Sequence, residues 1–301
     1  MALDASSSSS PGTGFGRVSI ATYTGRGVTT TLGYLSQAVE RPYWYMYQPP
    51  NGEASDNCEY HAAPVEIADA REMAVPPSID AEGFALLDAP TSCPFSHFED
   101  REAIRRLYYP EAIELAKLVT GGIQAFVFDH AVRRRETARP ALRTGRDGTG
   151  GVLGTVGRAH VDYTEASGQQ RMARMAAEHQ IQPHPRRYAI VNVWRSIGGK
   201  IVDTPLALCD ARSVSATDLV AADLLYPDRK GELYLVQASA QHRWAYFSEM
   251  DNHEALVFKQ YDSQMSGIAR FTPHSAFDLP NVPVDAPLRQ SIEIRCLVIY
   301  E

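Results

Sequence analysis

With 301 residues, 44% of them hydrophobic and 22% charged, the chain has the composition of a globular protein long enough to bury a full core. Its formal net charge of -7 argues against a nucleic-acid partner, because phosphate backbones call for a basic face. No apolar run nears the ~18 residues of a membrane span. Cys58, Cys93, Cys209 and Cys296 stand too far apart for a zinc ribbon or a disulfide framework, which suits a reducing cytoplasm.

Met1 to Gly16 is rich in Ser, Gly and Pro, with neither a charged n-region nor an apolar h-region, and reads as a flexible tail. Residues 17–122 follow as a wrapping segment whose short apolar runs are broken by Pro, Gly and Asp, implying a few strands and long loops. A helix is expected from Asp100 to Thr120, where Ile104, Leu107, Tyr108, Leu115, Leu118 and Val119 recur at three- and four-residue spacing. Asp100 suits its N-cap, Gly121-Gly122 its stop, and Pro110 a kink within it.

Beyond residue 122 strands dominate: Gln124–Arg133, Tyr188–Ser196, Pro205–Cys209, Glu232–Gln237, His242–Phe247, Ala255–Tyr261, Arg270–Phe277 and Ser291–Tyr300. One short helix is expected between Gly168 and Gln180. This order predicts a mostly β fold with flanking helices and a double-stranded β-helix (jelly roll, cupin-like) core over residues 123–301, the whole of 17–301 forming a single domain. Arg133-Arg134-Arg135 reads as a solvated or salt-bridged edge. Arg139 to Gly154 reads as a loop beside the site, its glycine spacing lacking the βαβ context of a dinucleotide fingerprint.

His160-Val161-Asp162 carries the chemistry. In an extended chain residues i and i+2 share a face, so an imidazole and a carboxylate can grip one ion. A second histidine from a distant strand would complete the two-His, one-carboxylate face suited to non-heme Fe(II). His274 and His242 compete for that place. Chain order favours His274, since the strand after it opens with Arg289-Gln290-Ser291, where a guanidinium and a hydroxyl on one face can bind a carboxylate. His242 remains the alternative third ligand, and Lys259 or Arg295 the alternative cation should Arg289 not serve.

Several strings resemble the fungal AsaB-type hydroxylase/desaturase family, related to the CmcJ proteins. They are Val127-Phe128-Asp129-His130 with Arg133-Arg134-Arg135, His160 to Thr164, Asn192-Val193-Trp194-Arg195, Pro205 to Ser213, His242-Arg243-Trp244, Phe258 to Ser263 and Arg270 to His274. The resemblance runs from about residue 60 to the end, with Ser196 standing where the family's string suggests proline. It implies a non-heme oxygenase of specialised metabolism that uses Fe(II), 2-oxoglutarate and dioxygen to oxidise an unactivated C–H bond of a small molecule, by hydroxylation, desaturation or cyclisation. His160, Asp162 and His274 would then hold iron. Arg289, Ser291 and Asn192 would hold the co-substrate, and Arg195, Arg212, His242, Trp244 and Tyr246 would line the substrate pocket, with Trp194 read as core. A homodimer is compatible with this reading. Two other readings need no Arg289-x-Ser291: a non-catalytic jelly-roll binding protein and a redox-neutral cupin-like metalloenzyme.

Overall fold

The computed structural model describes residues 27–37, 40–136, 142, 154–182 and 184–301. The expected tail and most of the Arg139 to Gly154 loop lie outside them. Fourteen strands occur among the described residues: β1 (Gly27–Leu35), β2 (Tyr43–Tyr45), β3 (Tyr60–Asp69), β4 (Phe84–Asp88), β5 (Gln124–Arg134), β6 (His160–Val161), β7 (Tyr188–Ser196), β8 (Leu206–Cys209), β9 (Leu219–Leu225), β10 (Lys230–Val236), β11 (Trp244–Tyr246), β12 (Glu254–Asp262), β13 (His274–Ala276) and β14 (Gln290–Ile299). They form a nine-stranded sheet ordered β1-β3-β11-β8-β13-β6-β10-β9-β2 and a five-stranded sheet ordered β4-β12-β7-β14-β5. This is the jelly-roll arrangement, with β1 and β3 extending the sheet that carries β6 and β13.

Period-two alternation decides what each face buries. On β7 and β14 the residues Val191, Val193, Ile292, Ile294, Cys296 and Val298 pack outward against Phe98, Ile104, Tyr108, Ala112 and Ala116. Their neighbours Asn192, Trp194, Ser291, Glu293 and Arg295 therefore point between the sheets. Trp194, Leu206, Leu208, Ala245, Leu256 and Phe258 fill the far end of that interior.

The helix over Arg101 to Thr120 departs from regular geometry, but not at the proline itself. A first turn, α1 (Arg101–Ala103), capped by the Asp100 side chain, passes into a π-helical turn at Ile104–Tyr108 before α2 (Tyr109–Thr120) begins with Pro110 in its first turn. Pro110 cannot donate to a carbonyl one turn back, so the chain absorbs the missing bond upstream and restarts. Gly121 closes α2 in the left-handed conformation at φ 72°. The later helix, α3 (Glu165–His179), starts three residues before the expected point, because Thr164 and Ser167 form a capping box.

Other departures are local. The Arg270–Phe277 strand shrinks to β13, since Pro273 has no N–H to offer a ladder. β11 begins only at Trp244, because His242 is held in a turn by Ser239. Ser196 does not loosen its loop: its hydroxyl donates to the Gly199 carbonyl and pins the turn after β7. The basic run divides three ways. Arg134 pairs with Glu99 at the surface, Arg135 is buried with Asp278, and Arg133 lines an interior cavity.

Arg195 lies on the outer face of β7, away from the interior assigned to it from sequence, because it alternates with Asn192 and Trp194. Fully buried, it donates to Tyr108 Oη at 3.0 Å and to the carbonyls of Asn252 at 2.9 Å and Ala89 at 2.6 Å. It fastens two loops and the π turn to the sheet. Replacing it strands buried acceptors, so Arg195→Leu should cost about 3 kcal/mol of unfolding free energy. Urea denaturation should show that loss while Fe(II) binding at the other face of the sheet is unchanged.

Candidate metal centre and co-substrate cavity

His160 on β6 and His274 on β13 are direct cross-strand partners, with ring centroids 4.3 Å apart. The Asp162 side chain joins them, and one ligand atom from each of the three lies within 4.8 Å of the others. The His160 Nδ1–H donates to the Arg158 carbonyl at 2.8 Å, and the His274 Nδ1–H to that of Thr272 at 3.3 Å. In both rings this leaves the Nε2 lone pair free for a metal.

The carboxylate is held from behind. Asp162 Oδ2 accepts from Asn192 Nδ2 and from Arg295 Nε, each at 3.0 Å, while Oδ1 lies 3.5 Å from His160 Nε2. Burial works to raise the Asp162 carboxyl, but Arg295, His160 and His274 outweigh it and hold the group well below the usual carboxylate range. Gln260 stands between the two ligand segments: Asp162 N–H donates to its Oε1 at 2.8 Å, while its Nε2 faces the His274 Nδ1–H at 3.5 Å, donor against donor, and makes a packing contact only. It does so from a bulge in β12, where the register shifts between Lys259 and Tyr261. Two neutral imidazoles and one carboxylate, with the remaining positions open, suit Fe(II).

The triad and Arg289 line one cavity, together with Arg133, Trp194, Leu206 and Glu293. Arg289 is buried, lies over the Trp194 ring at 5.6 Å and donates to the Thr204 carbonyl at 2.9 Å, yet its Nε has no partner. Ser291 Oγ and Asn192 Oδ1 are likewise buried and unpartnered. Burial, then the like charge of Arg133, push the Arg289 guanidinium down to about 9, the environment of a cation short of an anion. The two alternative cations are already satisfied. Arg295 meets Asp162, Asp129 and Glu293, and Lys259 meets Asp80 and Asp262 on the opposite face of β12. A co-substrate carboxylate therefore fits Arg289 and Ser291.

The remaining sequence candidates lie elsewhere. His242 spends both ring nitrogens, on Tyr34 Oη at 3.3 Å and Asp218 Oδ2 at 3.1 Å, so it is not the third ligand. Trp244 and Tyr246 alternate with the inward Ala245 and pack on the outer face of the larger sheet with Leu32, Tyr34 and Phe277. Arg212 pairs with Glu82 and Asp210 at a separate recess. Trp194 is both core and cavity wall. Sequence reasoning missed Gln260, and it weighed Arg295 only as a fallback cation for the co-substrate, whereas Arg295 donates to Asp162. The break in alternation at Phe258 to Tyr261, where two polar residues, Lys259 and Gln260, stand side by side between aromatics, is the signal that could have found Gln260.

Jelly-roll sheets, a His-x-Asp and distal His triad and a buried arginine define the class of Fe(II)- and 2-oxoglutarate-dependent oxygenases. Residues 32–299 match a family described as Oxidoreductase/YMDC permease-like domain. The chain belongs to that family. Among the described residues, no helix is long and apolar enough to cross a membrane. The chain is 30% identical to the hydroxylase/desaturase efuI of Hormonema carpetanum over 91% of its length and 95% of that protein. It is 32% identical to the alpha-ketoglutarate-dependent dioxygenase phiK of a fungal species over 74% of its length and 79% of that protein. Among solved structures, the iron and alpha-ketoglutarate-dependent endoperoxidase NvfI superposes with a TM-score of 0.77 at 25% identity, covering 91% of this chain and 98% of that one.

The metal-free site makes a prediction about acid. Burial, followed by the neighbouring His160, lowers His274 to about 3, whereas an unfolded imidazole titrates near ~6.5. Between those values the unfolded chain binds the extra proton. The contribution is complete above ~6.5 and falls by about 1.4 kcal/mol per pH unit as pH drops through that window. Urea denaturation of the metal-free protein at pH 7 and pH 5 should show a steeper loss for wild type than for His274→Gln; equal losses would contradict the buried neutral ring.

Proposed function

We propose that His160 and His274, through Nε2, and Asp162, through one carboxylate oxygen, bind Fe(II), and that Arg289 and Ser291 hold the far carboxylate of 2-oxoglutarate. The protein then oxidises an unactivated C–H bond of a small molecule of specialised metabolism, by hydroxylation, desaturation or cyclisation. The observation that carries this reading is the buried, unpartnered Nε of Arg289 in the cavity that the triad lines, with the Ser291 Oγ, also buried and unpartnered, two residues further along the chain. A non-catalytic or redox-neutral jelly roll has no use for them.

Iron with 2-oxoglutarate and dioxygen supplies the oxidant, and the chain's residues supply position and exclusion of water. Asn192 and Arg295 fix Asp162 so that it presents Oδ1. Gln260 accepts from the Asp162 N–H and so fixes the backbone that carries the carboxylate, and Trp194 walls the co-substrate cavity. The described residues from Gly27 onward act as one domain, since β1 pairs into the sheet that bears the ligands. All four cysteines are free thiols, which supports a reducing, cytoplasmic location.

Anaerobic addition of Fe(II) and 2-oxoglutarate should give the weak visible metal-to-ligand charge-transfer band. His274→Ala should abolish it and His242→Ala should keep it. The reverse result would reassign the third ligand.

At the co-substrate end, Arg289→Lys retains charge but loses the planar fork. It should weaken 2-oxoglutarate binding modestly, while Arg289→Ala should cost about 3 kcal/mol or more. Titrating the band against 2-oxoglutarate checks this, and unchanged affinity in both variants would remove Arg289 from the role.

A further inference from the structure

A second, larger opening leads to the triad. It has a volume of about 190 Å³ and is walled on one side by Trp44, Val156, Leu224 and Leu233, with His160 and Asp162 at its base. At that base lies Arg158. It sits two residues before His160, so the two side chains share a face, while Ala159 between them packs on the outer side of the sheet. Arg158 is only 6% exposed, stacks over the Trp44 ring at 4.4 Å, and has neither Nε nor Nη1 partnered.

Among the described residues, no acidic side chain in the opening is free to answer it. Asp162 and Asp129 pair with Arg295, and Glu232 pairs with Arg41. Helix α3 adds positive charge at one-turn spacing through Arg171 and Arg174, and Arg171 Nε is also buried without a partner. Arg229 and Lys230 stand at the rim. A buried guanidinium with two unmatched donors is costly unless something accepts from it. The protein is acidic as a whole, so this local excess of arginine is specific to the opening.

We propose that the substrate carries a carboxylate, bound by Arg158 with support from Arg171, and an apolar body lying along Trp44 and Leu233. This deepens the oxygenase reading and rests on it, because the opening is taken as the substrate's entry to the iron. Nε and Nη1 lie on different edges of the guanidinium, so a carboxylate meets the cation through one of these donors and its charge, and no side chain among the described residues of the opening takes that place. Anchoring one end beside His160 fixes which carbon of the substrate faces the metal.

The test uses naphthalene-2-carboxylate and its neutral analogue naphthalene-2-carboxamide, titrated calorimetrically into the full-length protein, both metal-free and loaded anaerobically with Fe(II) and 2-oxoglutarate. The carboxylate should bind about tenfold or more tightly than the amide. Arg158→Gln should bring the two within about twofold, Arg158→Lys should retain part of the preference, and Arg171→Gln, on a partly exposed helix face, should reduce it without a folding penalty. Far-ultraviolet circular dichroism verifies the fold of each variant. No carboxylate preference in wild type, including no binding of either probe at millimolar concentration, overturns the proposal, as does a preference untouched by Arg158→Gln. A loss of 2-oxoglutarate affinity in Arg158→Gln assigns Arg158 to the co-substrate and also overturns it. Absence of the charge-transfer band in wild type would defeat the oxygenase reading, while the carboxylate preference is still read independently in the metal-free protein.

Discussion

Everything at this centre depends on keeping one carboxylate charged between two imidazoles inside a protein. Burial alone would drive Asp162 to its neutral form. Arg295 prevents this from the adjacent sheet, and it can because Asp129 and Glu293 neutralise its remaining donors. Asn192 occupies the same Asp162 oxygen as Arg295, so the other oxygen faces the histidines. The ligand is thus charged, oriented and unable to turn away. The two sheets of the jelly roll are what bring these groups together: β6 supplies the histidine, its carboxylate follows at once, and β7 and β14 supply the groups that hold it.

Two irregularities make the geometry possible. β6 is a two-residue strand, because Asp162 gives its N–H to the Gln260 side chain instead of a neighbouring backbone. Gln260 reaches it from the bulge in β12, and a second bulge interrupts the pairing of β14 with β5 next to Arg295. Regular ladders would hold the strands but would repeat every second side chain on the same face without adjustment. A bulge re-aims one residue and leaves the rest of the strand in register. Both sit where the polar groups of the site have to converge.

Much of this was legible in the sequence. The alternation of β5, β7, β12 and β14 located them within a residue or two, because each buries one face under α2 and the other between the sheets. The His160-x-Asp162 pair was readable because strand periodicity alone puts both residues on one face. What failed were assignments of face. Arg195, Trp244 and Tyr246 were given to the pocket for their chemistry, yet each sits one residue out of phase with the inward positions Trp194 and Ala245. A one-residue step reverses the face, and a short strand such as β11 offers too few residues to fix the phase from sequence. His242 failed for a different reason: its partners Tyr34 and Asp218 come from distant parts of the chain. No local pattern carries that information.

The arginines show how pairing state, beyond residue type, separates roles. Arg135 is buried against Asp278 and braces the end of β5. Arg195 is buried among carbonyls and ties loops to the helix side. Arg295 is saturated by three carboxylates and tunes a ligand. Arg289 and Arg158, also buried, retain donors that nothing in the described chain accepts. A protein gains nothing in stability from desolvating a donor it does not use, since an unmatched buried donor costs more than a formed bond returns. Such groups persist because an outside molecule completes them. The cavity around Arg289 is narrow and contains the triad, whereas the opening at Arg158 is wide and has an apolar wall. On the proposed assignments the two unsatisfied cations face different guests that meet at one iron site, the small dicarboxylate on one side and the larger molecule to be oxidised on the other.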